Sequence, residues 1–206
     1  MAAQRLPSIT PEQYLEIERK AEYKSEYWSG QMFAMAGASR EHNLIVGNVL
    51  GEIRSYLREK RCETYPSDMR VWVAATGLYT YPDVTVVCGE PLFLDVTVDT
   101  LLNPLLLVEV LSDSTGAHDR GGKWKNYQRL DSLQEYVLVS QEEPRVEKYV
   151  RQPGGQWLYS EVIGMDAVLP LAALDVSLPL SEIYARVKFP PPEETASQGV
   201  GCAEKD

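Results

Sequence analysis

Two carboxylates stand where strand chemistry disfavours them. Glu109 lies inside the apolar run Leu105-Leu106-Leu107-Val108-Glu109-Val110-Leu111, and Asp83 follows Pro82 and opens Val84-Thr85-Val86-Val87. A carboxylate in a central strand loses hydration, and the penalty after relaxation is still roughly several kcal/mol per ion. A domain's total stability is only about 5–15 kcal/mol, so such a group needs a lysine or arginine, a metal ion, or its own proton. Carboxylates meeting on adjacent strand ends form a hard-oxygen site, the kind Mg²⁺ takes through one or two carboxylates plus a substrate phosphate. A lysine-bearing helix follows the second strand. Two acids and a lysine around such an ion suit phosphodiester hydrolysis. The metal polarises the phosphoryl oxygen and acidifies its bound water, and the ammonium orients the nucleophile or stabilises transition-state charge.

Each of these residues also has a plainer reading. Glu109 fits an edge strand facing water, or a structural ion pair. Pro82-Asp83 is a common turn pair. The combination favours a site, because parallel neighbouring strands would bring both acids to one end of the sheet. Asp119 and Lys123 are four apart and suit a surface ion pair. Asp68 lies near the start of an adjacent strand, within reach of the site, and Ser67-Asp68 also reads as a turn. Glu41 and His42 fall in the first turn of a helix, where an acid favours the dipole without any further role. Tyr127 suits a helix residue packed on the sheet. Trp28, Trp72, Trp124 and Trp157 are scattered, which favours packing over base stacking.

The elements that must position these groups can be traced along the chain. Thr10-Pro11-Glu12-Gln13 starts a helix, with Thr10 as cap, Pro11 in the first turn and Gln13 closing a capping box. That helix runs to about Glu22. Glu26 to Phe33 reads as a hairpin turning at Ser29-Gly30. Ser39 caps a second helix reaching about Lys60, with the stripe Ile45, Val49, Ile53, Tyr56 and Leu57 at helical spacing. Met69 to Val73 and Tyr79 to Cys88 read as strands, and Leu105 to Leu111 as a strand covered on both faces. A polar loop from Ser112 to Gly122 leads to a short helix, Lys123 to Leu130. Glu135 to Val139, Arg145 to Val150 and Trp157 to Val162 are three further strands, and Ser181 to Val187 a last helix. The class is α/β or α+β around one mixed sheet.

Composition narrows the function. The chain has 206 residues and 44% apolar residues, enough for a core without a structural metal. No stretch approaches the ~20 apolar residues of a spanning helix, so no membrane partner is expected. The opening Met-Ala-Ala-Gln-Arg shows no secretory pattern, and three cysteines, Cys62, Cys88 and Cys202, suit free thiols in a reducing cytoplasm. The formal charge of −10 argues against nucleic-acid binding by bulk electrostatics, although a bound dication can supply local positive charge. No Gly-rich phosphate loop, zinc spacing or G-x-S-x-G element is present. A two-carboxylate glycosidase would need a sugar cleft of which there is no sign.

The ordered set Tyr81-Pro82-Asp83-Val84, Pro104 to Ser112, Asp119, Lys123 to Tyr127 and Glu135 to Val139 resembles the Uma-two family of endonucleases. That family belongs to the restriction-endonuclease-like superfamily with the PD-(D/E)-x-K core. Glu26 to Ser39, followed by Glu41-His42-Asn43, is similar to the family's N-terminal region. The resemblance spans roughly Ile9 to Val187. It implies a mixed β-sheet flanked by helices, with an N-terminal helix and hairpin. A single domain is expected over 1–189, with Pro190-Pro191-Pro192 stopping order and opening a disordered tail over 190–206. It implies Asp83 and Glu109 as ligands of Mg²⁺, with Mn²⁺ as substitute, and the Val110 carbonyl as third ligand. Leu111 stands where the simple motif has lysine, and the pattern of lysine followed four residues later by tyrosine falls on Lys123 and Tyr127. The resemblance makes His42 a candidate for an extra ligand or base; Asp119 and Tyr127, and Asp68 by its position near a strand start, are further accessory candidates. The family's hairpin glutamate is replaced by Gln31. DNA is the implied substrate, and homodimers are common in this class. The alternative is a silent site on the same fold, serving as a binding or structural module.

Overall fold

The computed structural model describes residues 8–112 and 115–191. Helix α1 (Pro11–Glu18) starts as expected: Thr10 Oγ1 accepts from the Gln13 amide, and Gln13 Oε1 accepts from the Thr10 amide at 2.8 Å. The hairpin follows as β1 (Ser25–Trp28) and β2 (Gln31–Ala34). Helix α2 (Arg40–Tyr56) is capped by Ser39, whose Oγ accepts from the His42 amide at 3.0 Å. It buries Ile45, Val49 and Ile53, while Tyr56, expected on that stripe, is exposed.

Strands β3 (Cys62–Pro66), β4 (Arg70–Val73) and β5 (Leu78–Thr80) come next, then β6 (Val84–Cys88), β7 (Thr100–Leu101) and β8 (Leu106–Val110). The single strand expected from Tyr79 to Cys88 is therefore two. Pro82 cannot donate to a ladder, and Tyr81-Pro82-Asp83 carries the chain from one sheet to the other. The expected polar loop before Lys123 is helical from Gly116: α3 (Gly116–His118) runs into a π-helical turn, Asp119–Lys123, and then α4 (Trp124–Tyr127). Asp113 and Ser114 lie outside the described residues. The chain continues through β9 (Glu135–Val139), β10 (Arg145–Arg151), β11 (Trp157–Ile163), β12 (Val168–Leu171), β13 (Val176–Pro179) and α5 (Leu180–Ile183). Of the expected tail, only Pro190 and Pro191 are described, and neither belongs to a helix or strand.

Two mixed sheets result, ordered β2-β1-β5-β4-β7 and β11-β10-β9-β8-β6-β3. In the second, β8 and β9 are parallel, while β6 and β8 are antiparallel, not parallel as the sequence reading supposed. Strand β8 has a core on each face. Leu106, Val108 and Val110 pack with the apolar face of α2, whereas Leu107 joins Val71, Val73 and Leu78 of the first sheet together with Tyr127 and Tyr136. Burial on both sides is why the run is almost continuously apolar. Side chains alternate along a strand, so Glu109 shares the face of Leu107, toward the first sheet and α4.

The cysteine reading needs correction. Cys62 and Cys88 sit directly opposite one another in the antiparallel β3–β6 pair and form a disulfide. Among the described residues, no helix is long and apolar enough to cross a membrane.

Candidate active site

The pairing of Val84 with Val108 places Asp83, at the entry to β6, alongside Glu109 near the end of β8. Antiparallel strands achieve this because the start of one adjoins the end of the other. Asp83 is tied to that strand end: its Oδ2 accepts the Val110 amide at 2.7 Å and lies 3.2 Å from His42 Nε2. His42 reaches it from the first turn of α2, so the Ser39 cap also orients a site residue. His42 Nδ1 is buried and has no hydrogen-bond partner among the described residues.

Beneath this rim lies a charged centre. The Lys123 ammonium is 3.1 Å from Glu109 Oε1, 3.2 Å from Glu26 Oε1 and 3.3 Å from Asp119 Oδ1. Side-chain exposure is only 8% for Lys123, 5% for Glu109 and 2% for Asp119, so the Asp119–Lys123 pair is no surface bridge. Tyr127 donates its hydroxyl to Glu109 Oε1 at 2.8 Å, and Thr80 donates to Glu26 Oε1 at 2.5 Å. The π-helical turn presents Asp119 and Lys123 to the same point. Its Gly122 lets the His118 ring lie close against the turn, since a Cβ there would stand 2.8 Å from that ring and push it aside. Asn126 Nδ2 donates to the Gly122 carbonyl at 2.7 Å, satisfying that part of the irregular turn.

Electrostatics follow from this crowding. Burial pushes the Glu109 carboxyl well above the usual carboxylate range, and Asp119, Asp83 and Glu26 push it the same way against the pull of Lys123. Burial disfavours the Lys123 charge, but Glu109, Glu26 and Asp119 outweigh it, so the ammonium holds its proton more tightly than a free lysine. Burial likewise raises the Tyr127 phenol, which keeps it a neutral donor to Glu109.

Asp83, Glu109, Lys123, Asp119, Tyr127 and His42 are thus gathered in one place. Val110 contributes its amide to Asp83. Asp68 is not brought in: it is 85% exposed in the turn before β4, where it pairs with Lys24 at 2.9 Å. A residue the sequence reading passed over is Glu26. Attention to Gln31 as the hairpin position was misplaced, since Gln31 is exposed on β2 while Glu26 on β1 faces Lys123. The β1–β5 register, Tyr27 opposite Tyr79, also sets Glu26 beside Thr80. The available signal for Glu26 was an acid within a strand otherwise made of Ser25, Tyr27 and Trp28; nothing comparable marked Thr80.

Three carboxylates, Glu26, Glu109 and Asp119, surround one ammonium, and a fourth, Asp83, lies alongside, held by His42 and the Val110 amide. Among the described residues, no three His, Cys, Asp or Glu side chains are arranged as a ready metal cage. Hard oxygens from Asp83 at the rim and from Glu109 just beneath it, with surplus negative charge around them, suit a hydrated Mg²⁺ that takes one or two carboxylates and fills its remaining positions with water and phosphate.

Comparison with known proteins places the chain. It is 36% identical to the uncharacterized protein sll1609 of Synechocystis sp. over 168 residues, covering 82% of this chain and 95% of that protein. It is also 36% identical to the uncharacterized protein slr1290 of the same organism over 183 residues, covering 89% and 95%. A crystal structure described as "a putative nuclease belonging to DUF820 from Anabaena variabilis" shares the fold, with a TM-score of 0.71 at 18% identity over 85% of this chain and 97% of that one. The Uma2 family model, described as "Putative restriction endonuclease", matches residues 11–181, and the chain belongs to that family.

Proposed function

We propose that this protein is a metal-dependent endonuclease that hydrolyses DNA phosphodiester bonds. The observation that carries the reading is the meeting of Asp83 and Glu109 at adjoining ends of antiparallel β6 and β8, above a buried lysine. Asp83 and Glu109 would hold Mg²⁺ or Mn²⁺, with the Val110 carbonyl as a further ligand by family resemblance. When bound, the ion supplies Lewis acidity to the phosphoryl oxygen and lowers the pKa of its water. His42 and the Val110 amide fix the Asp83 carboxylate, and Tyr127 and Lys123 fix that of Glu109. Lys123 has three N–H donors and three carboxylate partners, so it positions an attacking water by exchanging one of them. The base that accepts the water's proton would be drawn from the same carboxylate group.

The reading includes DNA as substrate, a homodimer that reaches both strands, no membrane partner, and a cytoplasmic setting. The disulfide runs against that last element. Alkylating thiols in intact cells tests it directly: Cys62 and Cys88 react freely if the protein resides in a reducing compartment.

The central test is Mg²⁺- or Mn²⁺-dependent cleavage of plasmid and single-stranded DNA by the wild type, beside Asp83→Ala and Glu109→Ala. Cleavage lost in both variants supports the proposal; equal cleavage in all three refutes it. A silent module is the second reading, favoured by the three carboxylates that already surround the Lys123 ammonium. Calorimetric titration with Mn²⁺ separates the two, since a purely structural site takes up no metal that Glu109→Gln would abolish.

A further inference from the structure

Helix α1 is tied to both segments that lead into the site. Continuing the Tyr27–Tyr79 register by two positions sets Ser25 opposite Tyr81. Strand β5 ends at Thr80, however, and the chain leaves for the second sheet through Pro82. Ser25 takes partners from α1 instead. Its amide donates to Glu18 Oε1 at 2.8 Å, and its carbonyl accepts the Tyr14 hydroxyl at 2.6 Å. The same Glu18 oxygen accepts the Tyr81 hydroxyl at 2.9 Å. Arg70 donates Nη1 to the Tyr81 hydroxyl oxygen at 2.9 Å and Nε to Thr100 Oγ1 at 2.9 Å, and its Nη2 lies 3.0 Å from Asp99. Glu18, Tyr14, Arg70 and Tyr81 are all buried.

From this geometry we propose that Glu18 is a positioning residue of the active site, with Tyr81 as its relay. One carboxylate oxygen fixes both the backbone entering Glu26 and the side chain entering Asp83, and so sets where those two acids stand. The inference rests on the nuclease reading for the metal that the acids would hold, and extends it to α1. Two observations carry it. First, the connections are short and stiff. Ser25 adjoins Glu26, and the carbonyl held by Tyr14 shares a rigid peptide plane with the Glu26 amide. Tyr81 precedes Asp83 by two residues. A residue before proline is confined to extended conformations, and proline fixes its own φ, so few free rotations separate the Tyr81 anchor from the Asp83 backbone. Arg70 and Lys24 further restrain the Tyr81 ring, 5.7 and 5.5 Å from its centroid. Second, the far ends of these connections are the tight contacts of the site. Asp83 Oδ2 accepts the Val110 amide at 2.7 Å, and Glu26 Oε1 lies 3.2 Å from the Lys123 ammonium. Packing alone does not ask for an acid at position 18. Tyr14 already docks α1 through ring contacts with Tyr27 at 5.0 Å and Tyr79 at 5.3 Å, and a buried carboxylate is costly.

The test follows amide exchange by NMR in EDTA at Val110, whose N–H reports where Asp83 stands; Asp83→Ala sets the rate for a missing acceptor. Val110 is expected to exchange about tenfold faster in Glu18→Ala and in Tyr81→Phe, the effect of one buried hydrogen bond lost from a local opening equilibrium. Glu18→Gln keeps an acceptor oxygen for Ser25 and Tyr81 and is expected to stay near the wild-type rate. Thr10→Ala weakens the same helix at its cap without touching the network and is expected to leave Val110 unmoved. Titration with Mn²⁺ is expected to show affinity about tenfold weaker in Glu18→Ala and Tyr81→Phe, and unchanged in Glu18→Gln and Thr10→Ala. Equal Val110 exchange in the wild type, Glu18→Ala and Tyr81→Phe overturns the proposal. So does an equal rise in Thr10→Ala, which would make Glu18 a helix anchor and nothing more. Tyr81→Phe retains the ring and keeps the test sound if Glu18→Ala fails to fold. The two proposals fail separately. A wild type that takes up no Mn²⁺ yet shows the expected Val110 pattern sinks the nuclease and keeps the positioning role, whereas Mn²⁺ uptake with Val110 unmoved by Glu18→Ala and Tyr81→Phe does the reverse.

Discussion

Replacing Lys123 with methionine removes one ammonium and leaves three buried carboxylates facing one another. The ammonium lies 3.1–3.3 Å from Glu109, Glu26 and Asp119. Taking one partner from a buried ion pair costs about 3–5 kcal/mol, because the remaining charge stays desolvated. For a chain of this length each kcal/mol moves the melting temperature by about 2–4 °C, so the expected fall is about 6–20 °C. The sign of the pH dependence follows from Glu109. Its carboxyl titrates above the usual range in the fold, so stability is present while it is protonated and is lost as pH rises from the ordinary carboxylate range through the raised value. The loss in Lys123→Met should therefore be large at pH 8 and small at pH 5. The wild type should show the same slope more weakly, because the ammonium offsets the charge. Thermal unfolding followed by circular dichroism, in EDTA at both pH values, measures this directly. Adding Glu109→Gln to Lys123→Met should recover much of the loss at pH 8. A loss of equal size at pH 5 and pH 8, with no recovery in the double variant, would show that Lys123 stabilises by packing and that the carboxylate cluster is not what it neutralises.

Two further measurements bear on the frame around the site. Ser39→Ala removes the α2 cap and should cost about 1 kcal/mol in denaturant unfolding. It should also weaken Mn²⁺ uptake, since the same turn holds His42 against Asp83; unchanged uptake would separate the cap from the site. Cys88→Ser opens a closure across 26 positions of sequence and should lower stability by about 3.5 kcal/mol on the chain-entropy model, with dithiothreitol producing the same shift in the wild type and none in the variant.

The two acids were legible because each broke a local rule. Glu109 interrupts a hydrophobic run, and Asp83 follows a proline at a strand start. The Thr10 and Ser39 caps were equally visible, since capping depends on residues only three positions away. What escaped depended on sheet assembly. Glu26 belongs to β1, and its place beside Lys123 is set by the pairing of β1 with β5 and by the first sheet covering β8. Asp68 looked close in sequence to a site strand, but its turn points outward and finds Lys24. The Cys62–Cys88 bond required the β3–β6 register, and the edge-on contact of Trp124 with Trp157 at 4.8 Å required β9 and β10 to lie between β8 and β11. The π-helical turn at Asp119–Lys123 has no periodicity from which it could be read, and its two glycines looked like an ordinary break.

The double burial of β8 has an evolutionary consequence. Neither core needs a carboxylate at position 109; leucine would suit the face it shares with Leu107, provided that Lys123 lost its charge as well. Buried ion pairs exchanged for apolar side chains of similar volume often leave a protein equally or more stable. Folding alone therefore exerts no pull to retain the acid–lysine centre, and a lineage released from the chemistry could shed it while keeping the same architecture. Persistence of the charges in a descendant would then report selection for what they do.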